Sequence, residues 1–337
     1  MKINTNNVYS IIKHKNKIYL LFKEDIKGNQ KIMCDDKAII SNNIKICIPI
    51  DDNIISLPQL FLERFLNTYH NSRGPSINPK EIDLYIQYCF RNVGRQQDPT
   101  EAFRKLGDHY QQLFDIFKLT IIKDNYCVLD SKELSFYSTN EEIESTIKIN
   151  KDILKNYTSL NDLFRNPYTE IRELRACKSG NLLVTTSYQT SSNYIVFNPI
   201  TYEYPSGIKE KFTNLNSNKT TNYFRFNNTI KLNGINFEKI GYIIHLGKSV
   251  NGGHYIAIIK KNRKWYQADD SSIDEIDINK IDRTFFPTLV FYKKVDYSNN
   301  NVRDVPIGLH NRGNTCYFNS LLQNLANISQ LNDIYLN

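Results

Sequence analysis

The sequence predicts an α+β fold, because short β-rich runs, a group of helices and a long strand-rich region follow one another along the chain. Residues 1–55 alternate β-rich runs with polar turns, which is typical of a small β module. Apolar residues then recur at helical spacing over about residues 57–117. From about residue 119 to residue 295 the chain is rich in Ile, Val, Tyr, Phe and Thr, which favour strands. A polar linker over residues 296–305 precedes a last predicted helix, which starts at Thr315 as its cap.

The N-terminal module contains four predicted strands, and Gly28-Asn29 is a turn signal between two of them. These strands are Val8–Ile12, Lys17–Phe22, Lys31–Cys34 and Ile44–Ile50. Two helices are predicted next, each with one apolar face. The first face consists of Leu57, Leu60, Phe61, Phe65 and Tyr69, and the second of Ile82, Tyr85, Ile86 and Cys89.

A third predicted helix begins at Asp98-Pro99-Thr100-Glu101. Asp at the N-cap, Pro at N1 and Glu at N3 together form a strong helix-start signal, with Asp98 and Glu101 as a capping box. Its apolar face is expected to consist of Phe103, Leu106, Tyr110, Leu113, Phe114 and Phe117.

Composition is ordinary for a soluble globular protein, with 40% apolar and 23% charged residues among 337. A chain of this length can bury one large core or two smaller ones. The net charge of +8 is spread along the chain without Lys/Arg blocks between aromatics, so nucleic-acid binding has little support. No segment has the apolar length needed to span a bilayer.

The six cysteines are scattered without spacings that suggest pairing, and the first 17 residues lack the apolar run of a signal peptide. We therefore expect a reducing compartment, in the cytoplasm or elsewhere inside the cell. The cysteines are Cys34, Cys47, Cys89, Cys127, Cys177 and Cys316.

Cys316 is a candidate nucleophile because it lies within the first turn of the last predicted helix. The partial positive charge of a helix N-terminus lowers the pKa of a thiol and favours the thiolate. Gly308 and Gly313 allow a tight loop before it, and the Asn311 amide on that loop could fold back toward an oxyanion, beside the Cys316 N–H. A lone cysteine at a helix start is more often buried and inert, so its surroundings decide.

His254 is a candidate general base, with Asp269 as its partner. If residues 252–269 form a hairpin whose turn centres on Lys261-Asn262, His254 lies opposite Asp269 on one face of the sheet. A carboxylate beside an imidazole fixes its tautomer and steadies the imidazolium. A catalytically silent His–Asp pair on the surface would have the same pattern.

Residues 308–323, GLHNRGNTCYFNSLLQ, resemble position for position the cysteine box of the ubiquitin-specific proteases. The residues around His254 resemble the histidine box of the same family. This resemblance implies a papain-like cysteine protease with thumb, palm and fingers. It assigns the nucleophile to Cys316, the base to His254, the orienting carboxylate to Asp269 and an oxyanion donor to Asn311.

The resemblance also implies residues that bind substrate near the base. Gly252 and Gly253 would line a narrow channel that excludes side chains on the substrate tail. Tyr255 follows the base directly, and Asp270 would be a polar helper near the oxyanion. His245 matches an upstream histidine of the family, for which we expect a role in packing or, as the alternative, in contact with the substrate tail.

Residues 96–101, QQDPTE, resemble a third signature of the family. There the acidic residues help to hold the basic C-terminal tail of ubiquitin, which would assign this role to Asp98 and Glu101. The family usually has Phe directly after the Glu, whereas this chain has Ala102.

Family members often bind a structural zinc in the fingers through two Cys-x-x-Cys pairs. This chain has only Cys177 near the expected place, and one thiol cannot build a tetrahedral site. We therefore expect no metal, no other cofactor and reduced fingers.

The two boxes occur in the reverse of the family order, since the histidine box comes first. We predict a circular permutation in which residues 294–307 join the old ends and the cysteine box is C-terminal. Fourteen residues can span about 45 Å when extended, which is ample. The expected domains are the β module, residues 1–55, and a permuted catalytic domain, residues 56–337.

The leading function is a deubiquitinase, a thiol-dependent hydrolase of the bond after the C-terminal Gly-Gly of ubiquitin. We expect a monomer that acts on ubiquitin or ubiquitinated proteins. Three alternatives stay open. The chain could be a ubiquitin-binding pseudoenzyme, a protease for another ubiquitin-like modifier, or part of a tandem protein whose site is completed in trans.

Overall fold

A computed structural model gives the fold of the chain. It describes residues 8–14, 17–22, 46–49, 57–78, 86, 97–129, 133–200, 202–203, 210–211, 224–249, 252–282, 286–296 and 304–336. The helices are α1 (Leu57–Asn71), α2 (Pro99–His109), α3 (Gln111–Ile116), α4 (Lys151–Asn156), α5 (Leu160–Arg165), α6 (Ile278–Asp282), α7 (Cys316–Leu325) and α8 (Ser329–Leu336).

The strands begin with β1 (Val8–His14), β2 (Lys17–Phe22), β3 (Ile46–Pro49), β4 (Ser76–Ile77), β5 (Leu119–Val128), β6 (Leu134–Glu144), β7 (Ile147–Ile149), β8 (Tyr168–Glu173), β9 (Asn181–Gln189) and β10 (Tyr194–Pro199). They continue with β11 (Tyr202–Glu203), β12 (Glu210–Lys211), β13 (Thr229–Leu232), β14 (Ile235–Ser249), β15 (Gly252–Lys261), β16 (Lys264–Asp269), β17 (Ser272–Ile276), β18 (Pro287–Lys294) and β19 (Gly308–Leu309). Within the described ranges, no helix is both long and apolar enough to cross a membrane.

A central eight-stranded sheet separates two hydrophobic cores. Its strand order is β17-β16-β15-β14-β18-β10-β7, and β13 pairs with β14. Strand β18 shows how both cores form, because alternate side chains of a strand point to opposite faces. Leu289 and Phe291 join the core that contains α1, α2 and α7, whereas Val290 and Tyr292 join the core on the other face.

The N-terminal residues form a separate antiparallel sheet in the order β1-β2-β3. Three of the four predicted strands are thereby confirmed, while residues 31–34 and the turn at 28–29 lie outside the described residues. The domain boundary after residue 55 stays a prediction.

The helix predicted from Pro99 onward is two helices, α2 and α3. Tyr110 interrupts them with φ −138° and ψ 89°, and its N–H bonds back to the Gly107 carbonyl. The predicted apolar face is buried except at Phe114, which is half-buried. The first predicted helix is confirmed as α1. Of the second, only Ile86 is described, and it is helical and buried.

Helix α7 contains the expected apolar stripe, and its surroundings bury every one of its 10 residues. It packs on β14, β15 and α2, and the following helix α8 packs on α1. The stripe residues Phe318, Leu321, Leu322, Leu325 and Ile328 are fully buried, although Ile328 lies just beyond the end of α7.

A four-stranded sheet in the order β6-β5-β9-β8 carries a disulfide between Cys127 and Cys177. The expectation of unpaired cysteines, with only Cys177 in this region, was therefore wrong. The two residues are 50 positions apart, and they meet because Cys127 lies opposite Leu182 while Cys177 lies on the loop before β9. With this pair formed, cysteine spacing no longer argues for a reducing compartment, and the compartment stays a prediction.

We expect the disulfide to stabilise the fold. Closing a loop of this length restricts the unfolded chain, so the double change Cys127→Ser with Cys177→Ser should lower the free energy of unfolding by about 2–4 kcal/mol. Urea unfolding of oxidised protein measures this. A reductant should lower the melting temperature of the native chain and leave that of the double variant unchanged. Equal melting temperatures with and without reductant in the native chain would contradict the disulfide.

Candidate active site

Strands β15 and β16 form the expected hairpin, but with its turn one residue later. Lys261 pairs with Lys264, so the turn is Asn262-Arg263. Both turn residues have a left-handed backbone, with φ of 47° and 67°, which suits a two-residue hairpin turn. The predicted register was therefore wrong by two residues. An even shift keeps every side chain on its predicted face.

The predicted contact between His254 and Asp269 is present despite the different register. Nε2 of His254 lies 2.6 Å from Oδ1 of Asp269. In the observed pairing Asp269 is a diagonal neighbour of His254, and such neighbours are within reach of long side chains. The side chains are 33% and 39% exposed, so the pair is partly open to solvent rather than in the core. With Nε2 beside the carboxylate, Nδ1 is the nitrogen that can exchange a proton with a thiol.

Cys316 is the first residue of α7 and is 3% exposed. Burial raises the pKa of its thiol, and the negative charge of Asp270 raises it further. Hydrogen bonds from the backbone N–H groups of Tyr255 and Tyr317 act in the opposite direction but do not prevail. The expectation of a lowered pKa was therefore wrong, because the loss of water outweighs the amides at the helix start.

Thr315 precedes Cys316 but does not cap α7 with its side chain, contrary to the prediction. Its hydroxyl instead accepts from the Arg312 N–H at 3.0 Å and contacts Oδ1 of Asn311 at 3.3 Å. Thr315 therefore shapes the loop before the nucleophile.

Asn311 braces this loop through both ends of its amide. Oδ1 accepts from the Gly313 N–H at 2.9 Å, and Nδ2 donates to Oδ2 of Asp270 at 2.8 Å. An amide nitrogen carries two hydrogens, so one remains for a further acceptor. This arrangement suits an oxyanion donor.

Asp270 connects three parts of the site. Its carboxylate accepts from Asn311 and, at 2.7 Å, from Nδ2 of Asn319 on α7. Its carbonyl accepts from the Leu309 N–H at 2.7 Å. Its backbone is left-handed with φ of 47°, and Oδ2 lies 3.9 Å from Nε2 of His254. Sequence reasoning did not single out Asn319, because nothing in the sequence shows that the end of β16 lies over α7.

The two glycines before His254 differ in their surroundings. Gly253 has φ of +143°, and a Cβ there would lie closer than 3.0 Å to the Leu246 carbonyl oxygen and to Nε2 of His245. A Cβ at Gly252 would meet open space. His245 is buried, and its ring lies 4.5 Å from the Tyr255 ring, as expected for a packing residue.

The acidic residues of the third signature lie at the start of α2. Asp98 is the N-cap as predicted, and its Oδ1 accepts from the Thr100 N–H at 2.8 Å. The Glu101 carboxylate contacts Arg104 through two hydrogen bonds of 3.0 and 3.1 Å. This guanidinium lowers the pKa of Glu101. Gln96 lies outside the described residues.

A metal ion has one candidate site among the described residues. His254, Asp269 and Asp270 each offer a ligand atom, all within 4.8 Å of one another. These are the base and the carboxylates already described, and the contact between His254 and Asp269 accounts for the cluster without an ion. The expected absence of a metal stays a prediction.

The sequence matches the family model of ubiquitin carboxyl-terminal hydrolases over residues 22–292 and 307–337. The chain belongs to this family. A comparison with curated proteins finds no match.

Solved structures of the SAGA deubiquitinase module resemble the chain in fold. The Ubp8-Sgf11-Sgf73-Sus1 SAGA DUB module matches with a TM-score of 0.55 and 16% identity, over 74% of this chain and 60% of that chain. The module bound to monoubiquitin gives 0.52 and 15%, over 73% and 67%. A yeast module with a Sgf73 variant gives 0.51 and 15%, over 73% and 66%. The mixed α and β architecture of a ubiquitin hydrolase is thereby confirmed, and the chain spans 60% of the first of these structures.

The contrast between the glycines predicts different effects of the same substitution. Gly253→Ala strains the backbone and crowds His245, so it should lower the free energy of unfolding by about 1–3 kcal/mol. Gly252→Ala adds a methyl group in open space and should change that energy by less than about 0.5 kcal/mol. Urea unfolding compares the two. Equal losses in both variants would show that the conformation of Gly253 is not the constraint.

Proposed function

We propose that the chain is a cysteine-type deubiquitinase that hydrolyses the bond after the C-terminal Gly-Gly of ubiquitin. The observation that carries the proposal is the pair of His254 and Asp269 next to the backbone that bonds to Cys316, in a chain of this family. The imidazole lies 2.6 Å from its carboxylate, and the Tyr255 N–H, directly after the base, bonds to the sulfur of Cys316.

The geometry suggests how the reaction proceeds. Nδ1 of His254 takes the proton of the Cys316 thiol, whose pKa is raised by burial. The thiolate attacks the carbonyl carbon, and His254 then gives the proton to the leaving amine. Asn311 and the Cys316 N–H hold the oxyanion. Water, activated by His254, hydrolyses the thioester and releases the enzyme.

The substrate contacts belong to the proposal as well. Gly252, Gly253 and Tyr255 line the channel for the substrate tail, and Asp270 supports the oxyanion loop. Asp98 and Glu101 would attract a basic tail, although Arg104 already occupies the Glu101 carboxylate. The solved module bound to monoubiquitin supports ubiquitin as the substrate.

We assign the four-stranded sheet β6-β5-β9-β8 to the fingers. One row across it is apolar, since Phe136 pairs with Tyr126, Tyr126 with Leu183, and Leu183 with Ile171. Its two ends are open to water, and its two middle residues are half-buried. Phe136 is 61% exposed and Ile171 is 68% exposed. A partly open apolar row of this kind favours contact with a folded protein such as ubiquitin.

We also propose the circular permutation. Three observations support it. The family model matches in two segments, and the second contains Cys316. Strand β19, just before the nucleophile loop, pairs in parallel with β4. Helix α8 packs on α1. A monomer then suffices for activity.

Labelling tests the nucleophile. A ubiquitin probe with a C-terminal electrophile should label the native chain, and Cys316→Ala should abolish the labelling because it removes the proposed nucleophile. Cys34→Ala is the matched control and should label normally. Labelling that survives Cys316→Ala would contradict the mechanism. A native chain that binds ubiquitin but is not labelled would indicate a pseudoenzyme. A native chain that is labelled only by the probe of another ubiquitin-like modifier would have that modifier as its substrate.

Mixing two inactive variants tests whether one chain holds the whole site. Cys316→Ala and His254→Ala each lack one triad member, so a mixture should show no ubiquitin cleavage above either alone. If each site lies within one chain, the mixture should stay inactive at every protein concentration. Activity that returns on mixing and rises with concentration would favour a site completed in trans.

A further inference from the structure

Asn319 lies one turn after Cys316 on α7 and is 2% exposed. Its Nδ2 donates to Oδ1 of Asp270 at 2.7 Å. The same nitrogen lies 3.3 Å from the Leu309 carbonyl oxygen and 3.4 Å from that of His310. The carboxylate contact is the shortest of the three, and a hydrogen bond to a charged acceptor is stronger than one to a neutral acceptor.

The amide of Asn319 is unusual at a buried position, because one end of it is not hydrogen-bonded within the described part of the chain. With Nδ2 directed at three oxygens, its Oδ1 is buried and has no hydrogen-bond partner among the described residues. An unsatisfied buried acceptor destabilises a protein. An apolar side chain would avoid that cost on a helix that is otherwise buried. The donor of Asn319 therefore matters more than the packing of its side chain.

The group that receives this donor is placed to affect catalysis. Asp270 is 15% exposed and has an amide on each carboxylate oxygen, Asn319 on one and Asn311 on the other. It lies 3.9 Å from Nε2 of His254, close enough to compete with Asp269 for the imidazole if it turned. A small displacement of Asp270 would therefore disturb both the oxyanion loop and the base.

We propose that Asn319 is a positioning residue that acts through Asp270. Its amide holds the Asp270 carboxylate over the start of α7. There the carboxylate orients Asn311 toward the oxyanion and leaves His254 paired with Asp269. This inference rests on the proposed function and adds one residue to its machinery.

Truncation gives the first expectation. Asn319→Ala frees Asp270, and a misplacement of about 1 Å can lower a rate by about 100-fold. We expect kcat for ubiquitin cleavage to fall by about 10-fold to 100-fold while KM changes less than about threefold, since Asn319 is buried and does not face the substrate.

Asn319→Asp separates positioning from general damage to the helix. Two ionised carboxylates at hydrogen-bond distance repel each other, so the pKa of one of them is raised, and that group gains a proton that it can donate as the pH falls. The activity of Asn319→Asp relative to the native chain should therefore rise at least about fivefold between about pH 8 and about pH 5.5. The neighbouring titratable groups His254, Asp269 and Cys316 are common to both proteins, so the ratio reports the added carboxyl group together with its effect on them.

Two controls accompany this pH series. Asn319→Leu has a similar size and no donor, and its relative activity should stay low and flat with pH. Asn324→Asp places a carboxyl group on the same buried helix, where the native amide donates to the Ser320 carbonyl. If the relative activity of Asn324→Asp rises as much as that of Asn319→Asp when the pH falls, the effect comes from any carboxyl group buried on this helix. That result would overturn the proposal.

A double-mutant cycle supplies an independent test. If Asn319 acts through Asp270, then Asn319→Ala should cost less than about twofold in kcat when Asp270 is already Ala. A full loss in that background would overturn the proposal, because the effect would then come from the carbonyls of Leu309 and His310. Should Asn319→Asp fail to fold, the exchanged variant Asn319→Asp with Asp270→Asn restores one amide–carboxylate bond and should fold. Its failure to fold would also contradict the proposal. Absence of turnover in the native chain would refute the proposed function instead.

Discussion

The burial of α7 is the constraint on which the site depends. The helix lies against β14, β15 and α2, and none of its residues is exposed. Contact with the sheet is so close that a Cβ at Gly241 would lie within 3.0 Å of Oδ1 of Asn324. A helix packed this closely cannot slide along the sheet. Cys316 is therefore held beside Tyr255, and so beside the histidine that precedes it.

Polar contacts fix the position of the segment that carries α7 and α8. The Tyr69 hydroxyl donates to Gln323 at 2.9 Å, and Tyr194 and Ser329 share a hydrogen bond of 2.7 Å. His70 lies 2.9 Å from Oδ1 of Asn332. Each contact joins the end of the chain to a distant element. Buried hydrogen bonds are costly to leave unmade, so they favour this single arrangement over others with similar apolar burial.

Features that depend on short-range pattern could be predicted from the sequence. Helix α1, the start of α2 and the pairing of His254 with Asp269 follow from periodicity, capping residues and a hairpin. An error of two residues in the register did no harm, because the pleat repeats every two residues. The cysteine box pointed to Cys316 because a long run of residue types had to match together.

Features that depend on long-range packing could not be predicted from the sequence. The disulfide joins residues that meet only because β5 pairs with β9 across an intervening segment. The raised pKa of Cys316 follows from burial, which the position at a helix start does not reveal. The hydrogen bonds from Asn311 and Asn319 to the Asp270 carboxylate require the end of β16 to lie over α7, and no local signal in the sequence predicts that contact.

The late position of α7 in the chain affects how the protein is made. Ribosomes produce β14, β15 and β16 before they produce residues 304–336, so a nascent chain carries His254 and Asp269 before it carries Cys316. The face of the sheet that α7 covers is open to water until then, and open apolar surface is what chaperones bind. The thiol of Cys316 thus appears only after the strands that bury it.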